Sequence, residues 1–183
     1  MKQGLFTIAE HTQLTETVWR MRLQGDTSEI YAPGQFVNIR LEGLFLRRPI
    51  SVCDCEGDLL TIVYKVVGKG TRQMSRMQVG ETLDVLTGLG NGYDLSVAGD
   101  RPLLLGGGVG VPPLYMLAKQ LIDEGRQVSV ILGFNTKAEV FYEDEFRTLG
   151  ADVTVATADG SYGVHGFVTD AMKEMASSSG MKI

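Results

Sequence analysis

Leu103 to Leu114 reads L-L-L-G-G-G-V-G-V-P-P-L, an apolar run that ends abruptly in glycines and then in two prolines. Beyond it, Leu114, Leu117, Ala118, Leu121 and Ile122 recur at helical spacing. The stretch therefore predicts a buried strand, a tight glycine turn and a helix start. Glycine tolerates positive φ and lets a ligand approach the main chain. A helix start adds free N–H groups and the positive end of a dipole, which suits a phosphate. The stretch is read as the pyrophosphate site of a dinucleotide, with an ordinary strand–helix turn as the alternative. Gly108-Val109-Gly110-Val111-Pro112-Pro113 follows G-x-G-x-x-P, with proline where the common fingerprint has its third glycine. Proline is tolerated in a first helical turn, where its missing N–H has no helical partner.

Around this stretch the rhythm is strand, helix, strand, helix. Strands are predicted at 103–105, 128–132 and 153–156, and helices at 113–124, 143–149 and 167–175. Such alternation implies a parallel sheet covered by helices. Only three strands are visible, and Met181-Lys182-Ile183 reads as the possible start of a fourth. A sheet cut there leaves an apolar edge uncovered, so the expectation is a fragment, or a partner over that edge.

Upstream the rhythm differs. Segments 5–9, 17–23, 35–41, 50–52, 59–66 and 82–86 read as short strands, separated by turns such as Ala32-Pro33-Gly34 and Glu56-Gly57-Asp58. Six strands at this spacing predict a small antiparallel barrel, with one helical piece at 71–77. The fold class is thus β followed by α/β, with domains at 1–98 and 99–183 and a break near Ala98-Gly99-Asp100.

Composition narrows the function classes. The 183 residues are 44% hydrophobic with a net charge of −5, enough for one large domain or two small ones. No basic stripe is present, which argues against nucleic acid. The first residues hold no apolar signal core, and no apolar run approaches the roughly 20 residues of a membrane span. The expectation is a cytoplasmic protein without a membrane span. Cys53 and Cys55 cannot complete a four-ligand metal site by themselves, so no metal ligands are assigned. They read as small apolar strand residues, with a redox pair as the alternative.

A second group of motifs lies in the barrel half. Arg47-Arg48-Pro49-Ile50-Ser51 opens a strand, and Gly68-Lys69-Gly70-Thr71-Arg72 follows. Arginine matches phosphate oxygens with a rigid fork of donors, and glycines with a Thr at a helix start make a second anion site. Two phosphate sites in tandem fit a flavin dinucleotide on the barrel and a nicotinamide dinucleotide on the sheet. Other residues read more blandly. Arg47 is expected to be a solvated neighbour and Trp19 packing, His11 and His165 have no visible partner, Tyr64 is either core or ligand contact, and Asp159-Gly160 is either site or turn.

R-P-I-S, G-x-G-T and G-x-G-x-x-P in this order resemble the ferredoxin–NADP reductase superfamily. Within it the chain most resembles the electron-transfer subunits of B-type dihydroorotate dehydrogenase, through Leu46–Ser51, 86–92, Gly106–Pro113, 140–143 and 156–163. The resemblance implies FAD on the barrel and NAD(H) as substrate on the sheet. It gives Arg48 the flavin pyrophosphate, Pro49 and Ile50 the ring pocket, and Ser51 a catalytic hydrogen bond to the reactive flavin nitrogen. Val63, Tyr64 and Lys65 would contact the ribityl and adenine end, and Gly70 and Thr71 would close on the phosphates. Gly106, Gly107, Gly108, Val109, Gly110, Pro112 and Pro113 would cradle the nicotinamide dinucleotide, with Thr157, Asp159 and Gly160 at the end of a neighbouring strand. It further implies a dihydroorotate dehydrogenase catalytic subunit as partner in a heterotetramer, serving pyrimidine biosynthesis. Members of this family continue with a C-G-P-like strand and a cysteine-rich segment ligating a [2Fe–2S] cluster; neither stretch occurs in these 183 residues. Nothing at Gly133-Phe134-Asn135 decides NADH against NADPH; the resemblance favours NADH. Two other readings stay open: a self-standing reductase of the same superfamily acting on free flavin or another acceptor, and a cofactor-free interaction module.

Overall fold

A computed structural model describes residues 1–179. They fall into two compact units, one of Met1–Tyr93 with Tyr115–Leu117 and one of Asp94–Leu114 with the residues from Ala118 onward.

The first unit is a closed antiparallel barrel. Its strands are β1 (Lys2–Gln13), β2 (Val18–Gln24), β3 (Phe36–Arg40), β4 (Arg48–Glu56), β5 (Leu59–Lys65) and β6 (Thr82–Leu89), with helix α1 (Lys69–Met74) between the last two. The order around the wall is β1-β2-β5-β4-β3-β6, so no strand edge is left open. Alternate residues enter the interior: Met21 and Leu23 from β2, Val37 and Ile39 from β3, Leu60, Ile62 and Tyr64 from β5, Leu83 and Val85 from β6. This period of two is the pattern that predicted the strands. β4 is much longer than the three residues predicted. Pro49, Asp54 and Glu56 read locally as turn residues, yet pairing on both sides extends the strand, and Pro49 is accommodated opposite Asn38. A bulge between Val52 and Asp54 re-aims the following residues and leaves Cys53 fully buried, while Cys55 packs against the core.

The second unit is a four-stranded sheet of order β10-β9-β8-β7, all parallel. Its elements are β7 (Leu103–Gly107), α2 (Pro113–Asp123), β8 (Ser129–Phe134), α3 (Glu143–Leu149), β9 (Asp152–Thr157), β10 (Val164–His165) and α4 (Val168–Ser179). Leu114, Leu117, Ala118 and Leu121 make the buried stripe of α2, as their spacing predicted. A fourth strand among the described residues is the two-residue β10 beside β9, too short for any periodicity to reveal; the strand start expected at 181–183 lies outside the described residues. Leu103 and Leu105 on β7 are exposed.

Candidate functional site

On the barrel, the structure brings together the two motifs read as phosphate sites. Arg48 Nη1 donates to the Leu46 carbonyl at 2.6 Å, and the rest of its side chain lies over Gly70. A Cβ placed on Gly70 would meet Arg48 Nε at 2.3 Å and Cζ at 3.1 Å. Glycine at 70 is thus a packing requirement of Arg48. Lys65, Lys69 and Arg72 bracket this position in sequence, a cationic donor set suited to a pyrophosphate.

Thr71 is buried, and its hydroxyl accepts from the amides of Val67 at 2.9 Å and Gly68 at 3.2 Å. It fixes the turn that presents Gly70 and contributes to the site by positioning. Pro49 and Ser51 alternate with core-facing Ile50 and Val52 and so project from the outer wall. On β5 the predicted contact stretch divides. Val63 and Lys65 point to the other side of the strand, where Val63 is also buried, whereas Tyr64 is 2% exposed inside the barrel core. Its hydroxyl bonds His11 Nε2 at 2.9 Å, and burial raises its pKa. At position 64 only the main chain is available to a ligand. His11 thus has partners that the sequence did not reveal, since its Nδ1 also meets the Met77 carbonyl at 3.0 Å. A carbonyl only accepts, so Nδ1 carries the proton and Nε2 accepts from Tyr64.

Arg47 departs from its expected solvated role. Both terminal nitrogens reach Asp84 Oδ1 at 3.0 Å, and Nη1 also reaches the Asn38 carbonyl at 3.2 Å. It clamps the β3–β4 loop while Arg48 beside it faces Gly70. A cavity of about 500 Å³ lies under that loop, lined by Leu5, Arg40–Leu44, Thr82 and Asp84. Neither Arg48 nor Ser51 lines it, and its mixed, open wall matches no ligand chemistry.

On the sheet, the glycine stretch divides between close packing and open space. A Cβ on Gly106 would meet Leu114 Cδ1 at 2.8 Å and Val111 Cα at 3.1 Å. Gly106 therefore lets the loop fold down against the start of α2. Added Cβ atoms at Gly108 and Gly110 would meet nothing within 4 Å, so the backbone there borders empty space that a phosphate could enter. Gly108 has φ +51°, Val109 is exposed, and Pro112 and Pro113 cap and open α2.

Thr157 ends β9 at the same carboxyl end of the sheet, opposite Phe134, while Gly107 lies opposite Gly133. The two predicted segments thus flank β8, about 10 Å apart by strand spacing, in the crevice where open α/β sheets take ligands. Their side chains are engaged locally. The buried Thr157 hydroxyl donates to the Tyr162 carbonyl at 2.7 Å and accepts its amide at 3.0 Å. Asp159 accepts from Ser161 Oγ at 2.6 Å and its amide at 3.0 Å, and the Ser161 hydroxyl above all holds its carboxyl below the usual value. Asp159 and Gly160, with φ +72°, form a real turn, whose shape is what they offer the crevice. Sequence reasoning missed Lys137, which lies over the Tyr162 ring at 5.3 Å and whose amide donates to Ser161 Oγ at 2.8 Å. Among the described residues no group of three His, Cys, Asp or Glu is placed to hold a metal. No described helix is long and apolar enough to cross a membrane.

Known proteins share this architecture. Residues 104–183 match the family described as Oxidoreductase NAD-binding domain. The dihydroorotate dehydrogenase B (NAD(+)) electron transfer subunit of Fusobacterium nucleatum is 47% identical over 92% of this chain and 68% of its own length. That of Shouchella clausii is 43% identical over 96% of this chain and 70% of its own. The chain thus spans about two thirds of these relatives. Among solved structures, an NADH-dependent reduced ferredoxin-NADP oxidoreductase superposes with a TM-score of 0.85 at 37% identity, over 94% of this chain and 63% of that one. A ferredoxin NADP+ reductase from Neisseria gonorrhoeae with bound FAD and NADP gives 0.84 at 20% identity, over 100% and 81%, a likeness of fold. With relatives this similar over nearly its whole length, the chain belongs to the dihydroorotate dehydrogenase B electron transfer subunits, an oxidoreductase family.

Proposed function

We propose that residues 1–98 hold FAD and residues 99–183 take NAD(H), so that the chain passes electrons between NAD and a dihydroorotate dehydrogenase catalytic subunit in the cytoplasm, for pyrimidine biosynthesis. The observation that carries this is the packing of Arg48 over Gly70, a phosphate-binding pair assembled from two motifs 22 residues apart in sequence. The residues present fit the cofactor: a guanidinium beside a glycine-lined turn, Pro49 and Ser51 on the outer side of β4, and the half-buried Lys65 at the end of β5.

FAD, when bound, accepts two electrons as hydride and releases them singly, which joins nicotinamide chemistry to one-electron carriers. Arg48 neutralises the pyrophosphate and fixes its place along β4. The Ser51 hydroxyl would hydrogen-bond the reactive nitrogen of the flavin ring. The Gly106–Gly110 backbone and the first turn of α2 hold the dinucleotide phosphates of the substrate. NADH is preferred over NADPH on this reading, in line with the NAD(+) in the relatives' names. The described residues offer no ligand set for an iron–sulfur cluster, so the [2Fe–2S] centre and the heterotetramer that the resemblance implies are assigned to the full assembly.

Heat-released flavin from the purified chain identifies the cofactor. FAD in near-equimolar amount supports the assignment, and a chain that neither carries nor takes up flavin contradicts it. Ser51→Ala is expected to keep its flavin and slow flavin reduction by NADH about tenfold, the worth of one transition-state hydrogen bond. Unchanged stopped-flow reduction would remove Ser51 from the catalytic role.

A further inference from the structure

We infer that His11, which belongs to none of the motifs above, is a positioning residue for the flavin phosphates. Its ring joins the strand that enters the Gly70-Thr71 turn to the segment that leaves it, and so keeps Gly70 against Arg48. This rests on the flavin reading above.

Strand register puts all of these groups at one end of the barrel. Arg48 and Ile50 of β4 stand opposite Ile39 and Val37, both fully buried. Opposite residues of an antiparallel pair share a face, so Arg48 lies on the core side at the first residue of its strand. Tyr64 lies on the core side of β5, one residue from that strand's end. β4 and β5 are antiparallel, so the start of one and the end of the other coincide. His11 stands opposite the fully buried Met21, near the end of β1. β1 and β5 both run antiparallel to β2, so their carboxyl ends also coincide. Helix α1 closes this mouth: Gly70 abuts the Arg48 guanidinium, and Met74 is fully buried in the barrel core.

His11 ties that closure from both sides. Its Nδ1 donates to the carbonyl of Met77, just past α1, at 3.0 Å. Its Nε2 accepts from the hydroxyl of Tyr64, just before the turn, at 2.9 Å. The Trp19 ring, with its centroid 4.8 Å away, packs against the imidazole. The two bonds depend on each other. Donation by Tyr64 to Nε2 leaves the ring proton on Nδ1, the tautomer that the Met77 carbonyl requires. A single ring therefore fixes both ends of the segment 64–77, which carries Gly70 and Thr71. Because α1 lies in contact with the Arg48 guanidinium, movement of the helix moves the donor fork that would meet the pyrophosphate.

The test compares wild type with His11→Gln and His11→Asn, reading FAD affinity by titration and the sites of trypsin cleavage by mass spectrometry. The Gln amide oxygen takes the place of Nε2 and keeps an acceptor for Tyr64, but gives up the bond to Met77. The Asn amide nitrogen takes the place of Nδ1 and keeps that bond. His11→Gln is expected to bind FAD about fivefold more weakly, the worth of one hydrogen bond. It is also expected to be cut several-fold faster after Lys69, Arg72 and Arg76, exposed sites of this segment, because the segment opens locally. His11→Asn is expected to recover most of both effects. An FAD affinity of His11→Gln equal to wild type would overturn the inference. So would equal losses in the two variants, which would assign the effect to ring packing on Trp19, or cleavage sped throughout the chain, which would assign it to global stability. Tyr64→Phe serves if the Gln variant fails to fold: it releases the tautomer while keeping the core packed, and is expected to shift both readouts in the same direction. A wild-type chain that takes up no flavin overturns the flavin reading and this inference together, whereas a variant with unchanged affinity overturns only this inference.

Discussion

Arg48 and Gly70 act as one unit, and a double-mutant cycle measures it. Arg48→Ala is expected to lower flavin retention by removing the charged fork. Gly70→Ala is expected to do the same by displacing that fork, because the new methyl falls 2.3 Å from Nε. Backbone strain does not enter, since Gly70 is not a positive-φ residue. Residues in contact are non-additive, so the double variant should bind flavin no worse than Arg48→Ala alone. Additive losses would separate the two motifs. Asp159 supports a second prediction at this scale. Its folded-state carboxyl is depressed, chiefly by the Ser161 hydroxyl. Its contribution is therefore present above the ordinary aspartate value of about 3.9 and is lost as pH falls through the lower folded value. An NMR titration should place the Asp159 midpoint below that ordinary value, and Ser161→Ala should move it upward. No movement would mean that the hydroxyl does not hold the turn. Arg48 and Gly70 were legible in sequence because their chemistry is local. The roles of Arg47, His11 and Thr71 were not, because each is decided by a partner that only the folded chain brings near.

At the scale of elements, period-two patterning revealed all six barrel strands, but β1 and β4 only in part. The polar residues of β4 pair inside a closed wall, a tertiary effect that overrides local propensity. In the parallel sheet, β10 was not legible; it exists because the turn after β9 returns the chain at once to the sheet beside it. Gly163 makes that return possible. Its φ is +65°, and a Cβ there would fall 2.1 Å from the Val155 carbonyl oxygen. Gly163→Ala is expected to cost at least the roughly 1–2 kcal/mol of a left-handed non-glycine residue, with the steric clash added. Chemical denaturation followed by far-UV circular dichroism should show the sheet unit unfolding earlier. An unchanged midpoint would mean that this turn does not hold β10 in place.

For the whole molecule, the proposed reading gives the chain two ligand-binding units built on different principles. The barrel would contribute side chains, with Arg48 and Ser51 three residues apart on β4. The sheet presents main chain, with Gly106–Gly110 and the Thr157–Tyr162 turn placed by strand ends. Main-chain sites leave a strong mark in sequence, because only glycine and proline make them, and Leu103–Leu114 displayed that mark plainly. Side-chain pairs set by register leave a weaker one, which is why the Arg47–Asp84 pair escaped notice. The central claim is that one chain binds both flavin and NAD(H) and moves electrons between them. Its most direct test is the visible absorption spectrum of the purified chain under anaerobic conditions, before and after NADH is added. The account predicts a flavin spectrum that bleaches on addition; a flavin spectrum that NADH leaves unchanged would contradict it.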